Sequence, residues 1–308
     1  MSKKVLLATE KPFAKAAVDG IAKIFDAAGY ELIKLEKYTD KADLLKAVEN
    51  ADAMIIRSDK ADADVIAAAK NLKTIVRAGA GFDNIDLKAA TGKGICAQNT
   101  PGQNSNAVAE LAIGFMLFAA RNKFTQGNGS ELKGKTLGIH AYGNVGRLVA
   151  NIAKGFGMEI CAFDPFVDKA KMQAEGVKVF DSIDELYSNC DYISLHIPAN
   201  EQTKKSINYP LMSKMKKGAA LINTARKEVV CEEGLKKLMA EREDIKYMTD
   251  VAPECHAELL EKFGNRYHAT SKKMGAETSE ANINAGLAAA NQIVNFFEKG
   301  DRTFQVNK

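Results

Sequence analysis

Short apolar runs rich in β-forming residues alternate with longer amphipathic stretches along almost the whole chain. Residues 5–8, 54–56 and 74–76 have the composition of buried strands, whereas residues 17–28 carry apolar side chains at helical spacing. An alanine-rich helix pattern, residues 65–70, separates two of these strands. Parallel strands need a long crossover, usually a helix, between them. The alternation therefore predicts an α/β protein in which helices cover parallel sheets.

The alternation is interrupted near residue 100 and resumes at about residue 135. Thr100-Pro101-Gly102 ends the first series, and a helix is predicted from Asn104 or Ser105 to about Arg121. A polar, glycine-rich loop, residues 126–130, follows. A chain of 308 residues is long for one core, so we expect two domains. The later strands and the last helix are predicted at residues 135–139, 159–163, 192–197, 219–224, 246–251 and 277–299.

Composition narrows the possible partners. The net charge of +4 is small and mixed, which argues against nucleic acid and at most favours a small anionic substrate. The longest uncharged apolar stretch, residues 111–120, is too short to cross a bilayer, and the apolar run at the N-terminus ends too early for a signal peptide. Five cysteines without a C-x-x-C pair indicate reduced thiols in the cytosol rather than disulfides or a zinc site. No metal is expected.

A dinucleotide-binding turn is predicted between a strand and a helix within residues 137–150. Gly143 would let the backbone approach a pyrophosphate, and Gly146 would let the helix pack closely on the strand. The helix N-terminus offers N–H donors to the anion. Alanine occupies position 141, where the usual G-x-G-x-x-G motif begins with glycine. Asp164 ends the next strand, 18 residues past Gly146, where a carboxylate accepts ribose hydroxyls and repels a 2′-phosphate. An ordinary βα turn would explain the glycines alone, but the combination favours NAD.

Four further segments carry a family resemblance. Residues 215–226, residues 195–198 with Thr203, residues 77–86 and residues 99–102 resemble the motifs of D-2-hydroxyacid dehydrogenases, particularly phosphoglycerate dehydrogenases. The resemblance extends from about Val5 to about Phe297. It implies two Rossmann-like or flavodoxin-like doubly wound parallel-sheet domains with the active site in a cleft between them. It also implies a homodimer formed through the long helix after Asn104.

The resemblance assigns the chain to domains and predicts the cofactor contacts. Residues 1–99 and 281–308 would form the substrate-binding domain, and residues 100–280 the NAD-binding Rossmann domain. The predicted cofactor-binding residues are Tyr142, Gly143, Asn144, Val145, Gly146, Asp164, His196, Ile197, Pro198, Thr203, Thr224, Ala225, Arg226, Asp250, Gly275 and Ala276.

The implied reaction is hydride transfer between C2 of a 2-hydroxy acid and the nicotinamide. Arg226 matches the family's substrate arginine, whose planar fork suits a carboxylate. The backbone of Gly79, Ala80 and Gly81 would donate to the carboxylate, although these residues could equally be a tight turn. Two strand-end arginines would bind a substrate phosphate unless they are simply surface residues. The predicted substrate-binding set is Arg57, Ser58, Arg77, Gly79, Ala80, Gly81 and Asn104.

The family's proton-transferring His–Glu pair is replaced in this chain. Lys273 stands at the histidine position, and Cys255 stands at the glutamate position with Glu254 one residue earlier. We predict that Lys273 is the acid–base group. Its ordinary pKa of about 10.4 would be lowered by nearby cations and partial burial, which gives an alkaline optimum for oxidation. Alternatively, Lys273 binds anions only and water carries the proton. His256 and His268 do not fall at the motif position.

The expected activity is NAD-dependent oxidation of D-3-phosphoglycerate to 3-phosphohydroxypyruvate in the cytoplasm, the first step of serine biosynthesis. The alternatives are reduction of hydroxypyruvate, glyoxylate or another D-2-hydroxy acid, and a non-catalytic NAD-sensing scaffold. The segment between Arg121 and Leu132 is shorter than in the family, so Arg121 or Lys123 would have to supply any anion anchor there. The chain ends at Lys308 without a serine-binding regulatory domain, so serine feedback is not expected.

Overall fold

The structure, a computed structural model, describes residues 2–125 and 127–307. Gln126 of the predicted loop lies outside the described residues. The chain divides into two compact units: Met1–Asn104 with Glu277–Lys308 forms unit 1, and Ser105–Ala276 forms unit 2. These limits lie a few residues from the predicted domain limits.

Unit 1 is a parallel five-stranded sheet with the strand order β2-β1-β3-β4-β5. The order reverses between β1 and β3, and loops at the carboxyl ends of strands beside such a reversal form binding crevices. Val5 to Ala8 of β1 are completely buried, as the strand pattern predicted. The strands are β1 Lys4–Thr9, β2 Glu31–Glu36, β3 Ala53–Ile56, β4 Thr74–Arg77 and β5 Cys96–Asn99. The helices are α1 Lys15–Ala27, α2 Lys41–Val48, α3 Ala63–Ala68, α4 Leu87–Gly92 and, from the C-terminal segment, α12 Ser279–Lys299.

Unit 2 is a parallel seven-stranded sheet with the order β12-β11-β10-β9-β6-β7-β8. The order reverses between β6 and β9. The strands are β6 Thr136–His140, β7 Glu159–Phe163, β8 Lys178–Val179, β9 Tyr192–Leu195, β10 Ala220–Asn223, β11 Lys246–Thr249 and β12 Tyr267–Ala269. The helices are α5 Ser105–Ala120, α6 Asn144–Gly155, α7 Lys169–Ala174, α8 Ile183–Asn189, α9 Tyr209–Met212, α10 Glu232–Glu241 and α11 His256–Phe263.

Short polar side chains determine where several helices begin. Asp40, Asp62 and Asp86 each accept a backbone N–H in the first turn of α2, α3 and α4. Thr278 does the same for α12, and Gly300 ends that helix in the left-handed conformation. These contacts satisfy backbone groups that a helix end otherwise leaves unpaired. The three aspartates therefore anchor the loops that precede α2, α3 and α4 at the carboxyl edge of the unit 1 sheet.

The predicted alternation and the two parallel sheets are confirmed. Three strands were predicted too long, since β9 ends at Leu195, β10 at Asn223 and β11 at Thr249. The polar edge strand β2 and the short strands β5, β8 and β12 were not predicted, because they lack a continuous apolar run.

Two further observations bear on function. Across residues 2–125 and 127–307, no helix combines the length and apolar character that a membrane span requires. Within the same residues, no three His, Cys, Asp or Glu side chains are grouped so that they could bind a metal ion.

Gly146 is predicted to be essential for packing α6 onto β6. A Cβ atom at this position would lie 2.4 Å from the backbone oxygen of Ala141. We expect Gly146→Ala to lower the free energy of unfolding by about 1–3 kcal/mol, because backbone atoms would have to move. Gly155→Ala in the same helix meets no atom within 4 Å and should be neutral or slightly stabilising. Urea unfolding compares the two variants, and equal stabilities would contradict this packing role.

Candidate functional site

The turn between β6 and α6 has the geometry of an anion-binding turn. Gly143 precedes α6, no side chain caps it, and a Cβ atom on Gly143 would meet no atom within 4 Å. The backbone at Ala141 has φ = +79°, a left-handed conformation that favours glycine and costs alanine about 1–2 kcal/mol. The N-terminus of this 12-residue helix therefore faces open space with its first N–H groups uncapped.

Asp164 follows β7 directly and lies beside this turn. Its Oδ2 accepts the N–H of Tyr142 at 2.7 Å, and its Oδ1 accepts the N–H groups of Phe166 at 2.8 Å and Val167 at 3.2 Å. These bonds fix the carboxylate and join the β7 end to the β6–α6 turn. Oδ2, which accepts one N–H, retains acceptor capacity for a ribose hydroxyl.

Tyr142, which the sequence predicted to contact the cofactor, occupies a structural position. Its ring is completely buried, its hydroxyl donates to Glu175 at 2.8 Å, and its N–H donates to Asp164. Burial and the Glu175 carboxylate raise the pKa of Tyr142, so the hydroxyl remains protonated. Both donors of Tyr142 are therefore used inside unit 2. The sequence could not indicate this because it does not show which way the side chain points.

The carboxyl ends of β9 and β10 carry the next group of predicted residues. Thr203 accepts the N–H of Asn200 and donates its hydroxyl to the oxygen of Pro198 at 2.5 Å, which closes the loop after His196 and Ile197. Thr224 follows β10, and its buried hydroxyl has no hydrogen-bond partner within the described part of the chain.

Asp250 is a fully buried carboxylate at the end of β11. Its Oδ2 accepts the N–H groups of Gly275 at 2.7 Å and Met274 at 3.2 Å. Its Oδ1 is buried and has no partner among the described residues, an arrangement that costs free energy until a donor arrives. The carboxamide of a nicotinamide carries such donors. The open turn at Gly143, the strand-end Asp164 and the unpaired oxygen of Asp250 therefore fit a nicotinamide dinucleotide.

Arg226 and Lys273 come together in unit 2 although they are distant in sequence. Arg226 Nη1 donates to the oxygen of Ala225 at 2.9 Å, and Lys273 Nζ donates to the same oxygen at 3.1 Å. Asn223 fixes this turn, because it accepts the N–H of Ala225 and donates to the oxygen of Arg226. Two cationic groups thus meet at one carbonyl, which suits them to an anionic substrate.

The two residues at the family's glutamate position, Glu254 and Cys255, have partners of their own. Glu254 forms an ion pair with Lys227 and is largely exposed. Cys255 donates its N–H to Glu232 at 2.9 Å, and burial together with Glu232 raises the pKa of its thiol to about 12. The cysteine therefore stays a neutral thiol at physiological pH.

The two histidines near the motif also have structural partners. His256 Nδ1 lies 2.8 Å from the hydroxyl of Tyr267, and His268 packs edgewise against Phe115 and Phe118. These contacts agree with the sequence interpretation that neither histidine stands at the motif position.

Unit 1 places the predicted arginines together. Arg77 Nε donates to the oxygen of Arg57 at 2.9 Å, and Arg57 Nη2 lies 3.7 Å from Glu277 Oε1. The Arg57 guanidinium also lies over the ring of Phe13, 5.5 Å from its centre. Ser58, beside Arg57, is exposed. The Arg77 guanidinium is therefore bonded to the backbone of Arg57 within one unit.

The absence of a side chain at Gly79 leaves room for the Arg77 guanidinium. A Cβ atom at Gly79 would lie 1.6 Å from Arg77 Nη1, and the N–H of Gly79 donates to the oxygen of Arg77. The prediction that this N–H binds substrate is therefore not supported, whereas the N–H groups of Ala80 and Gly81 stay predictions. Asn104, the last residue of this segment of unit 1, is partly buried.

Sequence reasoning missed the polar groups that hold Arg57. They are Asp59, Asn84 and Glu277. The position of Asp59, two residues after a strand-end arginine, was the feature of the sequence that could have indicated such a contact. The other two contacts join residues far apart in the chain, so no local pattern indicates them.

Comparison with known proteins identifies the family. Residues 116–270 match the family described as "D-isomer specific 2-hydroxyacid dehydrogenase, NAD binding domain". The chain is 38% identical over 283 residues to a hydroxypyruvate reductase of Thermotoga maritima, covering 85% of this chain and 90% of the relative. The chain belongs to the D-2-hydroxyacid dehydrogenase family, and unit 2 carries its NAD-binding domain. It is an NAD-dependent oxidoreductase that acts on CH–OH groups.

Two further relatives are phosphoglycerate dehydrogenases. One, from Methanocaldococcus jannaschii, is 38% identical over 267 residues, covering 82% of this chain but 51% of the relative. The chain thus spans about half the length of that curated relative. The NAD⁺-bound crystal structure of 3-phosphoglycerate dehydrogenase from Entamoeba histolytica superposes with a TM-score of 0.92 at 49% identity, covering 100% of this chain and 99% of that one. These relatives thus include a hydroxypyruvate reductase and two phosphoglycerate dehydrogenases.

The open space at Gly143 gives a prediction about NAD binding. We expect Gly143→Ala to raise the Kd for NAD⁺ at least about tenfold, because the methyl group would occupy the space that faces the helix N-terminus. The free energy of unfolding should fall by less than about 1 kcal/mol, since no atom lies within 4 Å of the added methyl group. Calorimetric titration measures the affinity, and Gly155→Ala is the matched control. Unchanged NAD⁺ affinity would contradict the role of this turn.

Two buried histidines make the stability of unit 2 depend on pH. Burial lowers the pKa of His140 to about 4, and burial together with His140 lowers that of His196 to about 3. In the unfolded chain both imidazoles bind protons below a pKa of about 6.5, whereas in the folded chain they stay neutral until about pH 4. The contribution of these two histidines to the free energy of unfolding is therefore complete above about pH 6.5 and is lost as the pH falls toward 4.

Thermal unfolding at pH 7 and pH 5 tests this dependence. The Tm should be lower at pH 5, and His196→Asn should make the decrease smaller. Tyr187→Phe removes the hydroxyl 3.4 Å from His140 Nδ1 but keeps both imidazoles, so it should retain the wild-type decrease. Equal decreases in Tm for the wild type and His196→Asn would rule out His196 as a source of the pH dependence.

Proposed function

We propose that the enzyme oxidises D-3-phosphoglycerate to 3-phosphohydroxypyruvate with NAD⁺. The observation that carries the proposal is the pairing of Arg57 and Arg77 through the Arg57 carbonyl oxygen. A phosphomonoester carries about 1.5 to 2 negative charges at pH 7, and guanidinium groups bind its oxygens in a bidentate manner.

In this proposal, Arg226 binds the substrate carboxylate and polarises the C2–oxygen bond. Lys273 Nζ takes the proton of the C2 hydroxyl, and bound NAD⁺ supplies the acceptor for the hydride that leaves C2. The amine of Lys273 must be neutral to accept the proton, so oxidation should be faster at alkaline pH. The contact of both side chains with the Ala225 oxygen supports this division of roles. Asp250 supports it as well, because it holds the turn that follows Lys273.

A hydroxypyruvate or glyoxylate reductase is the second candidate. The reductase relative from Thermotoga maritima, at the same identity as a phosphoglycerate dehydrogenase, favours it. The two candidates differ at one group of the substrate, the phosphate. A non-catalytic NAD-sensing scaffold is a third possibility, motivated by the replaced His–Glu pair. It gives no reason for Arg226 and Lys273 to converge.

The cellular setting follows from the proposed reaction. We infer that the protein acts in the cytosol, at the first step of serine biosynthesis, as a homodimer formed through α5. Sedimentation of only monomer at micromolar concentration would contradict the dimer.

Substitutions at Lys273 test the proton-transfer role. We measure NADH formation from D-3-phosphoglycerate between pH 7 and 10. Lys273→Ala should reduce kcat by at least about a hundredfold, the usual contribution of a positioned acid–base group. Lys273→His should retain part of the rate and move its rise to lower pH, because imidazole titrates below an amine. Lys217→Ala removes an exposed lysine of the same unit and should leave the rate unchanged.

Two outcomes would contradict the proposal in different ways. A wild type that binds NAD⁺ but neither oxidises phosphoglycerate nor reduces phosphohydroxypyruvate would exclude the proposed substrate, and hydroxypyruvate and glyoxylate then test the second candidate. If Lys273→Ala keeps the wild-type rate and pH profile, water rather than Lys273 accepts the proton of the C2 hydroxyl.

A further inference from the structure

A buried carboxylate, Asp59, joins three loops at the carboxyl edge of the unit 1 sheet. Only 2% of the residue is exposed. Its Oδ1 accepts the N–H of Glu10 at 2.7 Å and the hydroxyl of Tyr38 at 2.9 Å, and its Oδ2 accepts the N–H of Arg57 at 3.1 Å. These three donors follow β1, β2 and β3, which are neighbours in the sheet. Asp59 therefore fixes Arg57 relative to the loops that follow β1 and β2.

The carbonyl side of Arg57 is held as well. Its oxygen accepts Arg77 Nε at 2.9 Å and Asn84 Nδ2 at 3.2 Å, and Asn84 also donates to the oxygen of Asp59 at 2.7 Å. The backbone groups on both sides of the Arg57 Cα are thus bonded to side chains. The Arg77 guanidinium is bonded to the same residue, so a shift of Arg57 would move both arginines.

The charge of Asp59 requires a functional explanation. Burying a carboxylate is costly, and apolar side chains of similar volume usually stabilise a fold as well or better. Asp59 offsets this cost because all three of its donors point at its two oxygens. What the charge provides is orientation, because a carboxylate accepts on both oxygens and a carboxamide on only one. Orientation matters most for Arg57, whose long side chain loses rotamer freedom when it binds a ligand.

We propose that Asp59 is a positioning residue that preorganises Arg57, and with it Arg77, as a subsite for the phosphate group of the substrate. The proposal rests on the proposed phosphoglycerate activity. Asp59 does not touch the substrate. It acts by holding the Arg57 backbone, so its loss should weaken recognition of the phosphate and leave the chemistry at C2 intact.

The test separates phosphate recognition from catalysis. Steady-state kinetics of Asp59→Asn are measured with D-3-phosphoglycerate and with D-glycerate, which lacks the phosphate. The KM for phosphoglycerate should rise about tenfold, while its kcat and the constants for D-glycerate stay within about twofold of the wild type. Inhibition by inorganic phosphate should weaken by a similar factor.

Matched variants separate positioning from general stability. Asp52→Asn alters a carboxylate that accepts the N–H of Lys4 at 2.8 Å, at the opposite end of the same sheet, and should change neither KM. Tyr38→Phe removes one donor from Asp59 but keeps the bond to Arg57, so the KM should stay close to the wild-type value. If Asp59→Asn does not fold, Asn84→Ala replaces it. Asn84→Ala removes one of the two donors to the Arg57 oxygen and should raise the KM for phosphoglycerate selectively.

The outcomes distinguish this proposal from the proposed function. A wild type with equal kcat/KM for phosphoglycerate and D-glycerate would refute the phosphate-bearing substrate itself. A wild type that prefers phosphoglycerate, with no change in Asp59→Asn, would refute only the positioning role. An equal rise in both KM values would also refute it, since Asp59 would then act on the fold rather than on the phosphate subsite.

Discussion

The buried carboxylate of Asp250 is the interaction on which the chemistry of unit 2 depends. It lies at the end of β11 and binds the N–H groups of Met274 and Gly275, which follow Lys273 directly. A Cβ atom on Gly275 would lie 2.9 Å from the carboxylate oxygen, so glycine permits this approach. The turn is therefore fixed against the sheet, and Lys273 reaches the Ala225 oxygen at the end of the neighbouring strand β10. The other oxygen of Asp250 is buried and unpaired within the described chain, so it can accept a donor such as a carboxamide N–H.

The parallel sheets explain why such contacts collect at one edge. In a parallel sheet all strands end on the same side, so residues distant in sequence become neighbours there. In unit 2 this edge carries Asp164, Arg226 and Asp250, each directly after or close to a strand end. In unit 1 it carries Arg57 and Arg77. Buried aspartates hold both edges: Asp250 fixes the Lys273 turn and Asp59 fixes the Arg57 loop.

Local patterns predicted the fold, whereas side-chain direction could not be predicted. The apolar runs located β1, β3, β4, β6 and β7, because a buried parallel strand needs continuous apolar residues. The glycine turn and the strand-end aspartate could also be predicted, since both are recognised by their spacing in the chain. Tyr142 faces the core, and the N–H of Gly79 is used by Arg77, because rotamer and backbone direction depend on packing. The role of Asp59 could not be predicted, because its contacts come from three loops that are separate in the sequence.

The replacement of a histidine by Lys273 changes what the surroundings of the proton-transfer group must do. An imidazole needs a carboxylate to orient it and to stabilise its charged form, whereas an amine is charged by default and must be brought to its neutral form. At the glutamate position, Glu254 is paired with Lys227, and Cys255 stays a neutral thiol. Arg226 and Lys273 donate to the same Ala225 oxygen. The proposed proton transfer by Lys273 therefore does not require a glutamate in the role that it has beside a histidine.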